Sequence, residues 1–483
     1  MIKYKLILLV MGALLLVESF FMGISSLVSA IYGEYDLPFL LLSTGITLIT
    51  GLILVLLFRK TEKKVEKREA YLIVTLSWLI LSFFGAIPFY ISKAIPSYTD
   101  AFFETISGFT TTGASILNNI EEIPHGLLLW RSTTQWLGGM GIIVLSIAII
   151  PLIKVGGLQL FNAEVPGIST DKLHPRIKGT AKKLWMVYFG FTLTEAILLY
   201  LGGMSVFDAV NHAFTTMATG GYSTKQASIA AFDSAYIHYV IIFFMIVAGT
   251  NFALSYFMIT GQFKKVLKNT EIKFYLIILT IASLTVAFGL WHFMGHDIEY
   301  SIRHAMFQVV SIVTTTGYAT VDYLLWVPKG FWVIILMLMF VGGSSGSTGG
   351  GVKVVRIHIL FRNSYMEFKR LIHPHAVLPV RYNKASLPQN TINNVLAFTI
   401  LYIMVIAFGT LIMSLTGLEF ETAFGAVATS IGNIGPGIGD VGPASNFANI
   451  SVFGKWFLGF LMLMGRLELF TVLIIFTKYF WKR

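Results

Sequence analysis

Four short stretches rich in threonine, serine and glycine recur in a chain that is otherwise strongly apolar. Each contains a shared glycine, and a spacing of roughly one hundred residues indicates one structural unit that is used four times. Hydroxyl groups and exposed backbone are unsuited to lipid, so a membrane chain must bury them or turn them towards water. The stretches are TTTGAS at 110–115 (Gly113), MATGGYS at 217–223 (Gly220), TTTGYAT at 314–320 (Gly317) and GNIGPGIG at 432–439 (Gly435).

Ten apolar segments are long enough to cross the hydrocarbon core of a bilayer. Hydrophobic residues make up 55% of the 483 residues and charged residues only 12%, which excludes an ordinary soluble domain. The first segment is longer than a signal-peptide core and lacks a small-residue cleavage pattern, so it predicts a retained helix. The ten segments are 5–31, 38–58, 70–91, 126–153, 184–204, 237–261, 273–295, 331–360, 393–417 and 452–480.

Basic residues are concentrated on one side of this predicted topology. Because lysine and arginine favour the cytoplasmic side, both termini are expected to be cytoplasmic, which agrees with an even number of crossings. The opposite loops are rich in Asp and Glu, and a negative surface raises the local concentration of cations. Of the 35 lysines and arginines, only six lie in those outer loops: Lys93, Arg131, Lys225, Arg303, Lys329 and Lys455.

Each Thr/Gly stretch lies in an outer loop and follows a semi-apolar stretch that is too short to cross the membrane. These short stretches predict re-entrant half-helices that end at non-helical backbone. Such backbone is tolerated at membrane depth only where it is buried in protein or lines water. Four of these loops around one axis would surround a pore with carbonyl oxygens. The predicted half-helices cover 98–109, 206–216, 300–313 and 419–431.

The chemistry of the four loops indicates a monovalent cation. Backbone carbonyls and threonine hydroxyls can replace the water shell of an alkali ion. Calcium would call for carboxylates, and the four stretches contain neither Asp nor Glu. No nucleotide-binding fingerprint or catalytic triad is visible in the sequence, and the chain has no cysteine. We therefore expect a transport protein without a cofactor of its own, and not an enzyme.

The eighth apolar segment is interrupted by a glycine-rich stretch, which we call the glycine loop. Six of its ten residues are glycine, and each costs a helix about 1 kcal/mol relative to alanine. The loop follows the third Thr/Gly stretch, which places it beneath the predicted filter and predicts a movable gate. Close helix packing through small residues is the alternative. The loop consists of Gly342, Gly343, Ser344, Ser345, Gly346, Ser347, Thr348, Gly349, Gly350 and Gly351.

A single arginine, Arg466, lies deep in the last apolar segment. Charged residues at this depth are costly and usually face a cavity or a partner. Pairing with Glu195 is one possibility, since Glu468 is two residues away and points to a different face of the helix.

Five motifs together carry a resemblance to a known family. They are SGFTTTGA (107–114), RSTTQWLGGMGI (131–142), TMATGGYST (216–224), GSSGSTGGGVK (343–353) and GNIGPGIG (432–439). Over essentially its whole length the sequence resembles the TrkH subunits of the Trk/Ktr/HKT superfamily of potassium transporters. The resemblance implies an all-α polytopic membrane protein with four pseudo-repeats of helix, pore half-helix, filter loop and helix around a central pore. The implied units are an N-terminal two-helix hairpin (1–69) and pore repeats 1 (70–160), 2 (161–265), 3 with the gating loop (266–375) and 4 (376–483).

The same resemblance implies that Arg466 acts on the glycine loop, which is the alternative to pairing with Glu195. It also implies which backbone oxygens line the filter. All four shared positions are glycine, which favours potassium, whereas sodium-preferring plant relatives often have serine in the first repeat. The implied potassium-binding residues are Thr111, Thr112 and Gly113, then Ala218, Thr219 and Gly220, then Thr315, Thr316 and Gly317, and finally Asn433, Ile434 and Gly435.

The implied function is potassium uptake across a bacterial inner membrane by gated, channel-like flux. The resemblance further implies a homodimer in contact with membrane lipids, and a cytosolic nucleotide-binding ring of the TrkA type docked on the basic loops 154–183 and 361–392. No nucleic acid is expected as a partner. A poorly selective or sodium-permeable pore is one alternative. A proton- or sodium-coupled potassium symporter is another, with Glu18 or Glu195 as the proton relay.

Overall fold

The fold is almost entirely helical, as predicted for a polytopic membrane protein. Within the part of the chain that is described, the strands are limited to a hairpin that pairs Arg381–Tyr382 with Ala385–Ser386. The computed structural model describes residues 2–61, 65–139, 141, 177–326, 328, 330–383 and 385–482.

Twenty α-helices follow one another along the described residues, with 3-10 turns at Ile120–Glu122, Ser228–Ala231, Tyr323–Leu325, Gly439–Val441 and Ile474–Phe476. The α-helices are α1 (Tyr4–Tyr32), α2 (Leu37–Phe58), α3 (Lys67–Gly85), α4 (Ile87–Ile91), α5 (Tyr98–Phe109), α6 (His125–Gly139), α7 (Ile177–Leu201), α8 (Val206–Met217), α9 (Ala235–Ala248), α10 (Phe252–Ile259), α11 (Phe263–Lys268), α12 (Thr270–Met294), α13 (Ile298–Val313), α14 (Gly330–Leu338), α15 (Val354–Ile372), α16 (Gln389–Ser414), α17 (Phe420–Gly432), α18 (Val452–Arg466), α19 (Phe470–Leu473) and α20 (Lys478–Trp481).

Among the described residues, six helices are long and apolar enough to cross a membrane, and two further pairs of helices qualify if each bent pair counts as one span. The pairs are α9 with α10 and α18 with 470–476, and each bends by 111°. Ten crossings were predicted. The glycine loop divides the predicted segment 331–360 into α14 and the start of α15, and most of 140–153 lies outside the described residues. The predicted docking loop 154–183 also lies outside them up to residue 176.

The N-terminal hairpin of α1 and α2 packs against the rest of the protein mainly through α1. The two helices meet at Gly12 and Gly51: a Cβ on Gly51 would lie 3.0 Å from the backbone oxygen of Gly12. One face of α1 is buried against α3 and α6, whereas α2 exposes most of its leucine and isoleucine side chains. An exposed apolar helix of this kind suits contact with lipid.

Four short helices occupy the places where half-helices were predicted. They are α5, α8, α13 and α17, and their ends differ from the predicted ends by at most two residues. Ser97 and Ser205 cap α5 and α8, since each hydroxyl accepts a hydrogen bond from the backbone N–H three residues later in the chain. Every residue from Ala101 to Phe109 in α5 is buried. The C-terminal halves of the other three helices are also largely buried, so all four helices end in the interior of the protein.

Candidate functional site

All four half-helices end in the same hydrogen-bond pattern. Near each helix end one residue adopts a left-handed conformation, two positions after the last residue of α5, α8 and α13 and directly after α17. Its N–H bonds to the carbonyl three residues earlier. The next N–H bonds to the carbonyl five residues earlier, which completes a Schellman cap. Glycine usually takes the left-handed position, so a residue other than glycine at all four positions is a repeated feature. They are Thr111 (φ 54°), Thr219 (φ 53°), Thr315 (φ 59°) and Asn433 (φ 53°).

Two residues after each left-handed residue comes a glycine, and these four glycines form a closed ring of contacts. Each has a positive φ and leaves no room for a side chain, because the carbonyl oxygen of the next segment approaches its Cα. The ring runs from repeat 1 to 2, 3, 4 and back to 1, so the four segments surround one centre. A Cβ would lie 2.0 Å from Gly220 O on Gly113 (φ 81°), 2.0 Å from Thr316 O on Gly221 (φ 74°), 1.9 Å from Ile434 O on Gly317 (φ 82°) and 3.0 Å from Thr112 O on Gly435 (φ 101°).

The second segment is shifted by one residue from the sequence prediction. Ala218, which was expected in the filter, follows the last residue of α8 and keeps a helical conformation. Thr219 takes the left-handed position and Gly221, not Gly220, closes the ring. The stretch contains two consecutive glycines, and pattern matching cannot choose between them. The second segment is therefore Thr219, Gly220 and Gly221, while the other three keep their predicted residues.

The four ring glycines line one cavity of about 90 Å³, which we call the ring cavity. The described residues that line it include neither Asp nor Glu, and its polar surface is supplied by neutral groups together with Arg131 and Lys225. The acidic residues predicted for this side of the protein therefore do not line the ring cavity. A dehydrated ion at the ring would meet neutral oxygen ligands.

A buried ion pair supports the first two segments. Arg131 Nε donates to Glu104 Oε1 at 2.7 Å, and both side chains are almost fully buried. The guanidinium lies 3.5 Å from the centre of the Tyr222 ring, and Nη1 donates to Ser223 O at 3.0 Å. The other Glu104 oxygen accepts from Ile116 N at 2.9 Å. The pair thus ties together the chain that leaves the first ring segment and the chain that leaves the second.

Gln135 holds the second segment from the side. Its Nε2 donates to Gly220 O at 2.7 Å, and its Oε1 accepts from Tyr222 N at 3.0 Å, so the amide brackets Gly221. The motif that contains Arg131 and Gln135 was recognised in the sequence, but no role was predicted for either residue. Their signal was their spacing: two polar side chains four residues apart share one face of an apolar helix.

The glycine loop lies directly against the ends of two ring segments. Gly350 N donates to Thr315 Oγ1 at 2.7 Å, and a Cβ on Gly349 would lie 2.9 Å from Thr314 O. A Cβ on Gly350 would lie 2.4 Å from Gly432 O, in the fourth repeat. The base of the loop is closed by a hydrogen bond from Gly342 N to Val352 O at 2.9 Å.

Side chains from distant parts of the chain hold the glycine loop. Thr348 Oγ1 donates to Met217 O at 3.1 Å, and Thr348 O accepts from Arg466 Nη1 at 2.5 Å. Arg466 Nη2 also donates to Gly138 O at 2.6 Å, so this guanidinium joins the loop to the end of α6. Lys353 Nζ donates to Gly349 O within the loop.

Arg466 therefore contacts the loop, and Glu468 forms an ion pair with Arg356. Arg466 and Glu468 border a second space of about 80 Å³, the loop cavity, which shares no lining residue with the ring cavity. It is lined by Gly139, Gly346, Ser347, Gly349, Gly350, Gly351, Lys353, Gly465, Arg466 and Glu468.

Comparisons with known proteins match the whole chain. The TrkH family model, described as a cation transport protein, matches residues 41–482. The Trk system potassium uptake protein TrkH of Escherichia coli (strain K12) is 39% identical over 99% of both chains. The Trk system potassium uptake protein TrkI of Halomonas elongata is also 39% identical, over 100% of this chain and 98% of that protein.

A solved structure shows the same fold. The crystal structure of the potassium transporter TrkH from Vibrio parahaemolyticus is similar with a TM-score of 0.89 at 35% sequence identity. The similarity covers 99% of this chain and 100% of that one. The chain belongs to the TrkH family of cation transport proteins.

Proposed function

We propose that the chain mediates potassium uptake by passive flux through the ring of four segments. The observation that carries this proposal is the closed ring of glycine contacts, which brings backbone oxygens of all four repeats around one centre. Neutral oxygens suit a monovalent alkali cation. The names of the relatives, which are potassium uptake proteins, support the same ion.

The filter is assigned to three consecutive residues in each repeat. Their backbone oxygens are the potassium ligands, and the half-helices direct the negative ends of their dipoles towards the ion. Gly220 and Gly435 are constrained further, since their carbonyls accept hydrogen bonds from Gln135 and Thr429. The segments are 111–113, 219–221, 315–317 and 433–435.

The glycine loop is the gate, and Arg466 is the group that holds it closed. Support comes from the loop's position between the ring segments and the loop cavity. An ion that leaves the ring on this side has to displace the loop. The guanidinium also places positive charge beside that route, and this charge opposes the passage of a cation until the loop moves.

The surroundings of the pore follow the family resemblance. We place both termini on the cytoplasmic side of a bacterial inner membrane, with the chain as a homodimer that has one pore per subunit. A cytosolic nucleotide-binding ring of the TrkA type regulates the gate from the basic loops. The membrane potential, negative inside, favours entry by about 2.3 kcal/mol per charge per 100 mV, and no cofactor of the chain's own is required.

Flux into liposomes tests this function. Purified protein should carry potassium and rubidium, and sodium should pass at least about ten times more slowly, a difference of about 1.4 kcal/mol in barrier height. Equal permeation of sodium and potassium would leave an unselective cation pore as the correct description.

Ion-coupled symport is the second candidate, and two buried carboxylates favour it. Glu18 is 1% exposed, with no hydrogen-bond partner for its oxygens among the described residues, and Glu195 is 0% exposed. A carboxyl group in such a place can carry a proton. Passive flux predicts a current that reverses at the potassium equilibrium potential at every pH. A reversal potential that moves with the proton gradient would establish symport instead.

A further inference from the structure

One buried carboxylate, Glu271, connects the glycine loop to a distant surface element. It lies in the first turn of α12 and is only 2% exposed. Its Oε1 accepts a hydrogen bond from Ser345 N of the loop at 2.6 Å, and its Oε2 accepts from the Tyr382 hydroxyl at 3.2 Å. The two oxygens thus serve two segments that are separated by more than thirty residues in sequence.

Tyr382 belongs to the two-stranded hairpin, Arg381–Tyr382 with Ala385–Ser386. The hairpin is fastened to the same end of α12 at a second point, where Asn383 Oδ1 accepts from Thr270 N at 2.8 Å. Asn383 occupies the left-handed region (φ 46°), as its place at the tip of a tight turn requires. Ala385 and Ser386 are exposed, so a binding partner can reach the hairpin.

We propose that Glu271 is a positioning residue that couples the hairpin to the gate. A molecule that binds and displaces the hairpin withdraws the Tyr382 hydroxyl from Glu271. The carboxylate then loses one of its donors, and its hold on Ser345 weakens. This inference rests on the proposed role of the glycine loop as the gate, and it names the route by which regulation at the predicted cytoplasmic loop 361–392 reaches that gate.

The chemistry of a buried carboxylate makes it suitable for this coupling. A buried charge is tolerated only while hydrogen bonds satisfy it, so the states of its two partners are linked through the same group. The loop's other contacts are made by different segments, which include Arg466 and Gly249. Glu271 is the contact that leads to the hairpin.

The absence of cysteine from the chain allows a direct test. Ser345 is buried, and Ser345→Cys introduces a single thiol while keeping the backbone N–H that Glu271 accepts. The rate at which a polar maleimide modifies this thiol, in purified protein in detergent, reports how often the loop opens. This rate does not depend on potassium flux.

In the Ser345→Cys background, Glu271→Ala should raise the modification rate at least tenfold and Tyr382→Phe several-fold. Glu271→Gln should restore a rate close to that of the parent, because its amide oxygen can still accept from Ser345 N. The double variant should react no faster than Glu271→Ala alone, since both changes act on one chain of contacts. Glu367→Gln is the matched control, because that exposed carboxylate pairs with Arg370 and should leave the rate unchanged.

Equal rates in Glu271→Ala and the parent, or effects of the two single changes that simply add, would overturn the coupling. If Glu271→Ala does not elute as a folded protein, Tyr382→Phe alone decides: an unchanged rate overturns the proposal and a faster rate supports it. Potassium flux of the same proteins in liposomes tests the transport function separately from the coupling through Glu271. Faster thiol modification without any potassium flux would contradict the transport function and leave the coupling standing.

Discussion

The ring and the glycine loop lie against each other, yet they are built in opposite ways. The ring is made four times over, and each segment repeats the same Schellman cap and the same glycine contact with its neighbour. The glycine loop occurs only in the third repeat. It is held by groups from distant parts of the chain, among them Met217, Glu271 and Arg466.

This difference separates two functions. Left-handed backbone and close backbone contacts fix the ring, because no segment can shift without its backbone clashing with the backbone of its neighbour. The loop is held mainly by individual hydrogen bonds, each worth about 0.5–1.5 kcal/mol net between neutral groups and about 1.5–3 kcal/mol where a charged group such as Arg466 or Glu271 takes part. A few such bonds can be exchanged for water when the loop moves. Changes in the ring should therefore affect ion selectivity, and changes in the loop contacts should affect the open fraction.

The largest effect is expected from a side chain in the ring. Gly317→Ala places a Cβ 1.9 Å from Ile434 O in a residue with a φ of 82°, so the ring cannot close. We expect selective potassium flux in liposomes to fall at least a hundredfold. Gly417→Ala is the control, since its φ is also positive (96°) but nothing lies within 4 Å of the new Cβ. It should retain flux, and loss of flux in both variants alike would assign the effect to backbone strain.

The second prediction tests the register of repeat 2. Gly221→Ala should abolish flux, because its Cβ would meet Thr316 O at 2.0 Å. Gly220→Ala should keep a measurable part of it, because the nearest atoms belong to the end of the Gln135 side chain, which can move. The reverse order of severity would restore the register predicted from the sequence.

A smaller effect is expected where the loop is released. Arg466→Gln shortens the side chain that reaches Thr348 O and Gly138 O, so the loop should open more often. We expect potassium flux without any partner protein to rise about tenfold, equivalent to about 1.4 kcal/mol. The ratio of potassium to sodium should stay unchanged. Arg303→Gln, at a salt bridge with exposed Glu299, is the control and should behave like the parent. A change of selectivity in Arg466→Gln would place this residue in the filter.

The smallest effect should come from making the fourth segment resemble the others. Asn433→Thr puts threonine in the left-handed position that it already occupies in three repeats. It removes the hydrogen bonds to Thr112 Oγ1 and Met462 O, both at 2.9 Å, so stability should fall by about 1–3 kcal/mol. Flux and selectivity should remain within about threefold of the parent, because the substitution leaves the backbone oxygens of 433–435 in the ring. Thermal unfolding and liposome flux measure the two effects, and loss of selectivity would give Asn433 a direct role at the ion.

The features that sequence could predict are those determined by local chemistry. The half-helices were predicted because a semi-apolar stretch that is too short to cross the membrane precedes each of the four Thr/Gly stretches. The glycine loop was found because six glycines interrupt an apolar segment. The position of Arg466 beside the loop followed from the family resemblance together with its depth in the last segment.

The features that sequence missed depend on contacts between distant residues. The choice between Gly220 and Gly221 is made by the carbonyl of Thr316, in the next repeat. The role of Glu271 is visible only once Ser345 and Tyr382 are seen beside it. The sharp bend between α9 and α10 contains no proline from which it could have been predicted. The backbone oxygen of Gly249, at this bend, accepts a hydrogen bond from Ser344 N of the loop.

The location of the bound ion tests the central claim most directly. Crystals or grids prepared with rubidium or thallium in place of potassium would reveal the ion by its scattering. The account predicts an ion at the centre of the ring, between the backbone oxygens of segments 111–113, 219–221, 315–317 and 433–435. An ion bound elsewhere, with the ring empty under the same conditions, would contradict it.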